Sequence, residues 1–551
     1  MVGKWRAIVL NKMEASVHHA RYDLLPYGWC FQPEDALLTI TDTMSFLEVF
    51  LLLALVIYLN SFLYVSRCRR CLNVPAVGCE GFLASYWSAF QFIRKANVIL
   101  QEGYQKHKNG VFKIPLVDRW LVVVTGDQLL DNLRTAPESV LSMWDAMLDL
   151  LQLDHTLGRQ FRENPYHDSI IRTTLTRNLA TILPNIIDES IHAFPDMIAN
   201  GKEVDGGWIS IDAYDEFSAL VCRVLHRVLV GSPVCRNKSY LQLNIQFSAG
   251  VTTEATVINA FPRFLQPFIG NLYNKVSGRQ TRVLEYLGPE IEERKRKVAE
   301  LGSDYEGRPD DLISWLMDSA PSALERETSS IALRVLIVNF MGHHSTFTTF
   351  THAIYHLAAD PFYADDLREE LVMHLSDPEH IENWTEKSLD QCWKLDSFLK
   401  ETLRVHGIGA LALPRKSLVC YTFPNGVVVP PGTLVTACST ATHLDEEKYQ
   451  EAHRFNGFRF EKLRVRAKTL EQGSKHKVTS TSSSFLAFGG GKHICPGRFF
   501  GTLLLKCMMA HLIIHYDIKM ENEGVRPKDD WFGPVELPAR QGKVLFRKRD
   551  G

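Results

Sequence analysis

Residues 488–497 read Phe-Gly-Gly-Gly-Lys-His-Ile-Cys-Pro-Gly, and Cys495 is the side chain there with the most chemistry to offer. A cysteine acts as a nucleophile or a metal ligand in its thiolate form. Three successive glycines, Gly489 to Gly491, let the backbone take positive φ and approach a flat ligand with no Cβ in the way. A tight glycine-rich loop can also aim backbone N–H groups at a sulfur. Pro496 suits the first position of a helix, so Cys495 is expected near a positive helix end that favours the thiolate. Arg498 to Leu505 then continues as an apolar helix. The other reading of these residues is a buried structural cysteine in a glycine-rich turn.

Two further segments carry chemistry. Residues 394–404 have apolar residues at helical spacing, with Glu401 and Arg404 three apart on one face; taken alone, such pairs are mostly solvated. Residues 329–359 form a long apolar segment in which Leu333, Leu336, Ile337, Phe340 and Met341 recur at helical spacing. Within it lies Gly342-His343-His344-Ser345-Thr346. Adjacent histidines on a helix point about 100° apart and cannot hold one ion together. The Ser345 hydroxyl either serves a ligand or bonds its own backbone.

The loop at 488–497 resembles the haem-thiolate ligand loop of the cytochrome P450 family, F-x-x-G-x-[RH]-x-C-x-G, through Phe488, Gly491, His493, Cys495 and Gly497. The resemblance implies that Cys495 binds the iron of haem b and pushes electron density toward it. Glu401 and Arg404 match the family's E-x-x-R pair. Arg459, in Arg454-Phe455-Asn456-Gly457-Phe458-Arg459-Phe460, matches the arginine that completes a buried Glu-Arg-Arg cluster, although Gly457 and Phe458 replace the usual Pro-Glu. The segment at 341–346 resembles the distal helix pattern [AG]-G-x-[DE]-T-[TS]. That resemblance puts Ser345 at the oxygen-activating threonine, His344 at the acid and Thr346 beside them, with Gly342 leaving room for O2. Serine keeps a hydroxyl donor and acceptor, and histidine can relay protons. Arg172, Arg415 and His493 are the implied contacts for the haem propionates. Asp168 stands where the family has a tryptophan before Arg172.

The elements that must position these residues follow from that resemblance: a mainly α protein with small β-sheets, the cytochrome P450 fold, preceded by one N-terminal transmembrane helix. Strands are expected near 111–114 and 120–125, a hairpin over 419–432 with its turn at Asn425-Gly426, and a polar surface insertion over 474–484. Residues 46–65 are twenty residues with one charge, Glu48, long enough to span about 30 Å of hydrocarbon. Arg67, Arg69 and Arg70 follow it and place the C-terminal side in the cytosol. The division read from this is an N-terminal extension (1–43), an anchor (44–66), a basic Pro-Gly hinge (67–80) and a catalytic domain (81–551). Met44 directly precedes the apolar run, so residues 1–43 read either as a misplaced start or as a luminal extension.

Composition limits the function. The net charge of −2 argues against nucleic acid as the main partner. Eleven scattered cysteines give no disulfide framework and fit a reducing compartment; the lone Cys68-x-x-Cys71 reads as juxtamembrane sequence. The expected activity is a monooxygenase that inserts one atom of O2 into a lipophilic substrate at the endoplasmic reticulum membrane. No dinucleotide fingerprint is present, so NADPH electrons are expected through a separate NADPH-cytochrome P450 reductase, with cytochrome b5 as a further candidate donor. His344 in the acid position resembles fungal enzymes related to ent-kaurene oxidase, which implies a terpenoid or other secondary metabolite. Residues 251–273 read as substrate entrance or membrane-dipping surface. A haem-thiolate isomerase and a silent membrane haem protein are the competing readings.

Overall fold

The computed structural model describes residues 55–56 and 72–549, apart from 118, 262–263 and 376–383. The expected membrane span therefore lies outside the described residues, except Leu55 and Val56, which are helical. The elements that frame the site are, in chain order, α1 (Phe82–Lys106), β1 (Val111–Pro115), β2 (Trp120–Val124), α2 (Asp127–Thr135), β3 (Leu141–Ser142), α3 (Ala213–Leu229), α4 (Thr328–Ala359), α5 (Trp393–Val405), β4 (Leu411–Ser417), β5 (Leu434–Cys438) and α6 (Arg498–His515).

The helix α4 runs for 32 residues. Its runs 330–339 and 346–355 are buried on every face, as expected of a helix inside a core, while the turn at 340–345 between them is only partly buried. Two of its polar side chains reach neighbouring segments: Asn339 donates to the Asn244 carbonyl and the Ser248 hydroxyl, both at 3.0 Å, and Tyr355 donates to the Ala539 carbonyl at 2.8 Å. The helix stops at Asp360 because Pro361 follows, and a residue before proline is pushed out of the helical region; Asp360 has φ −134° and ψ 92°. Among the described residues, α6 alone is long and apolar enough to cross a membrane, yet it is mostly buried in the protein core.

A five-stranded sheet has the order β1-β2-β5-β4-β3, antiparallel except for the β2–β5 pair. The strand β4 carries a register shift between Ala412 and Arg415, with Leu413 at φ +54°. Such a bulge re-aims the side chains that follow it, here that of Arg415. A second, antiparallel sheet joins Tyr516–Met520, Lys543–Lys548, Trp208–Asp212 and Lys202–Val204. The expected hairpin forms with Tyr421 opposite Val429 and Gly426 at φ +82°.

Two expected loops are tied down. In the segment read as a hinge, Val74 and Val77 are buried. The Pro75 carbonyl accepts from the Lys113 N–H at 2.8 Å, and the Val77 N–H donates to the Lys113 carbonyl at 2.9 Å. The segment read as a polar surface insertion buries Val478, whose N–H donates to Asp396 of α5 at 2.8 Å, while Lys400 of α5 donates to the carbonyls of Lys475 and Lys477. Its serines and threonines hide one apolar anchor that composition alone does not flag.

Candidate haem-thiolate site

The cysteine loop closes on itself through the Cys495 N–H, which donates to the Phe488 carbonyl at 2.9 Å. Burial pushes the Cys495 thiol above its ordinary range. The N–H groups of Gly497 and Arg498 and the charges of Arg498 and Arg172 pull it back toward the thiolate. Gly497 is the N-cap of α6, and the helix begins at Arg498. Pro496 therefore lies two residues before the helix, not at its first turn, and the sulfur faces the N–H groups at the cap.

The glycines also make room for a neighbouring helix. Gly489 and Gly491 have φ +69° and +66°, as anticipated, while Gly490 is extended. A Cβ at Gly491 would fall 2.1 Å from the Arg134 carbonyl oxygen, and one at Gly490 would fall 2.4 Å from Arg134 Cδ. These two glycines thus let the loop close against α2.

On the distal side the two hydroxyls divide. Thr346 donates to the Gly342 carbonyl at 2.6 Å, whereas Ser345 stands 3.5 Å from that same carbonyl. Thr346 Oγ1 also faces Gly501 of α6 across 4.0 Å of Cβ clearance. Ser345 keeps the freer hydroxyl. His344 packs edge-on against Phe347, and burial lowers its pKa, so its imidazole is neutral near pH 7. His343 turns to α3, where its Nε2 meets the Ser218 carbonyl at 3.0 Å. A Cβ at Gly342 would meet Leu225 of α3 at 3.5 Å. Gly342 thus lies at ordinary contact distance from Leu225.

The basic residues surround the loop unequally. Arg415 is 1 % exposed, and its Nη1 donates to the Pro414 carbonyl at 2.8 Å. Its Nε and Nη2 are buried with no partner. Leaving guanidinium N–H groups unpaired in the interior costs enough that an anionic oxygen ligand is expected there. Arg172 keeps 42 % of its side chain exposed, is steadied by Asp168 at 3.3 Å, and bears electrostatically on Cys495, His493 and Arg498. Its neighbour Ile171 faces Gly497. His493 has its Nε2 2.7 Å from Glu138 Oε2. A recessed thiol flanked by the Arg172 guanidinium and by Arg415, whose Nε and Nη2 lack partners, fits a metal macrocycle bearing carboxylates.

Behind the loop, Glu401 and Arg404 pair twice at 2.7 Å, both fully buried. Arg459 Nε lies 3.1 Å from both Glu401 oxygens. Arg404 also donates to the carbonyls of His443 and Ala452 at 2.7 Å, and the Asn456 N–H donates to Glu401 at 2.9 Å. A buried triad needs such completeness to hold. Gly457, which stands where the family pattern has proline, lets Phe398 and Tyr363 close over it; a Cβ there would be 2.6 Å from Phe398. Sequence reasoning missed Glu138, Arg134 and His443, none of which sits in a local pattern that marks it.

A cysteine presented to helix N-cap amides, with a long distal helix and a buried Glu-Arg-Arg cluster, defines a haem-thiolate protein. The sequence profile of the family Cytochrome P450 matches residues 80–546, and the chain belongs to that family. It is similar to "Cytochrome P450 monooxygenase 151" of Postia placenta, 38 % identical over 478 residues covering 86 % of this chain and 94 % of the relative. "Cytochrome P450 monooxygenase 103" of the same fungus is 37 % identical over 506 residues, 91 % and 98 % of the two chains. "Cytochrome P450 monooxygenase CYP512U6" of Ganoderma lucidum is 30 % identical over 481 residues, 87 % and 92 %. With relatives this similar over most of its length, the chain is a P450 monooxygenase of fungal type that uses haem and O2.

Proposed function

We propose that Cys495 is the proximal ligand of haem b and that the enzyme inserts one oxygen atom into a lipophilic substrate, a terpenoid or other secondary metabolite. When bound, the haem supplies O2 activation. The chain's own residues hold it and manage protons: Arg415 and Arg172 take the propionates, and the freer hydroxyl of Ser345 passes protons at the distal face. His344 joins that relay as a neutral donor and acceptor, and Thr346 braces the helix beneath it. Glu401, Arg404 and Arg459 lock the frame behind the loop.

NADPH electrons come through a separate reductase, and the domain works at the cytosolic face of the endoplasmic reticulum, anchored by residues 44–66. Support for the membrane comes from the apolar run at 46–65 and from exposed Phe264 and Phe268 in the segment read as an entrance. The observation that carries the site assignment is the Cys495 sulfur facing the amides of Gly497 and Arg498. Co-expression with a fungal reductase and candidate terpenoids, followed by product analysis, tests the substrate class: oxygenated product dependent on NADPH and Cys495 supports it. Turnover of non-terpenoid lipids alone would redirect it.

A further inference from the structure

His443 ends the short helix Ser439–His443 and is 1 % exposed. Its ring has a partner at each nitrogen. The Leu486 N–H donates to Nε2 at 2.8 Å, and Nδ1 lies 3.1 Å from the Arg404 carbonyl. Only the neutral tautomer with hydrogen on Nδ1 satisfies both, accepting at Nε2 and donating at Nδ1. Burial and the neighbouring Arg404 push the pKa down to about 3, so that tautomer persists at neutral pH. The His443 carbonyl in turn accepts from Arg404 Nη1 at 2.7 Å, and the ring stacks on Phe485 with centroids 5.4 Å apart.

The two ends of this bridge differ in kind. One is the buried cluster built on Glu401. The other is the root of the cysteine loop: the Leu486 carbonyl accepts the Gly489 N–H at 2.9 Å, and two residues after Leu486 the Phe488 carbonyl accepts the Cys495 N–H at 2.9 Å. A run of hydrogen bonds thus leads from Glu401 through Arg404, His443 and Leu486 to the turn that presents the sulfur. We propose that His443 is a positioning residue that transmits the rigidity of the Glu401–Arg404–Arg459 cluster to the loop and keeps Cys495 in register as a thiolate ligand. This rests on the reading of Cys495 as the haem ligand.

Three variants of the full-length, haem-loaded protein separate this role from general packing. Glutamine at 443 can place an acceptor where Nε2 stands, asparagine reaches only as far as Nδ1, and leucine offers neither. The readouts are the red-shifted Soret band of the reduced, CO-bound thiolate form, the rate at which it converts to the blue-shifted form without thiolate, and the melting temperature. His443→Asn and His443→Leu both lose the bond to the Leu486 N–H and should convert about tenfold faster than the parent, the order expected for leaving that buried N–H unpaired. His443→Gln should stay within about twofold. The proposal is overturned if Asn and Leu hold the band as long as the parent, or if Gln decays as fast as Asn while all three melt alike. Should the leucine variant not fold, the Gln–Asn comparison decides alone. Absence of the red-shifted band in the parent would instead remove the Cys495 reading.

Discussion

His493 and Glu138 stand 2.7 Å apart, which ties the cysteine loop to the turn that starts the helix Met143–Leu151. The same carboxylate accepts the Ser142 hydroxyl at 2.7 Å and the N–H groups of Met143 and Trp144 at 3.1 Å. Glu138 therefore serves as a helix cap and a loop tether together. Glu138→Ala should destabilise the fold by about 2 kcal/mol, the upper end for a lost cap, read by denaturant unfolding. A change under about 0.5 kcal/mol would mean that Glu138 neither caps the helix nor tethers the loop.

Glu401 is fully buried, and its two arginine partners would be left as uncompensated charge without it. Glu401→Gln should cost about 3–5 kcal/mol and sharply reduce haem retention during purification. Arg459 is 11 % exposed, so Arg459→Leu should cost less. Equal losses from both would place the weight on Arg459 packing rather than on the charge cluster.

Ser345→Ala should leave haem incorporation normal and uncouple turnover, with NADPH consumed and peroxide released while product falls, because general acid assistance is worth about 10²–10⁴-fold. Ser345→Thr should restore coupling. Thr346→Val removes a hydroxyl committed to the Gly342 carbonyl and should leave coupling within about twofold of the parent, since that bond serves the helix itself. The reverse pattern, with Thr346→Val uncoupled and Ser345→Ala normal, would move the role one residue along.

The buried histidines set the acid limit of stability. His167, His226, His443 and His511 are each held down to about 3 by burial. Their neutral folded form contributes stability above the unfolded pKa, about 6.5, and that contribution falls as pH drops below it, by up to about 1.4 kcal/mol per unit for each group. Glu536 works the other way: burial raises it to about 9, so its contribution falls as pH rises above the unfolded carboxylate range. With these histidines outnumbering the raised carboxyls of Glu254, Glu370 and Glu536, the melting temperature should fall steadily between pH 7 and pH 5. A flat profile there would contradict the buried, neutral assignment.

What could be read from sequence divides by the range of the interaction. The cysteine loop, the Glu401–Arg404 spacing and the apolar run of α4 are short patterns whose chemistry depends on near neighbours. Helix periodicity and the Asn425-Gly426 turn are likewise local. Arg134 beneath Gly491, Glu138 beside His493 and His443 beside Leu486 are contacts between segments 43 to 357 positions apart, the extremes being His443–Leu486 and Arg134–Gly491. Nothing local marks those partners. The protein neighbours of Gly342 and Gly490 were hidden for a related reason: a glycine shows that something comes close without showing what, and here the neighbours include Leu225 and Arg134.

The most direct test is the spectrum of the reduced, CO-bound protein and its Cys495→Ala variant. The parent should show the red-shifted Soret band of thiolate–iron–CO. The variant should lose that band, and Cys495→His should also lack it even where haem is retained. A normal thiolate band in Cys495→Ala would contradict the assignment on which the site rests.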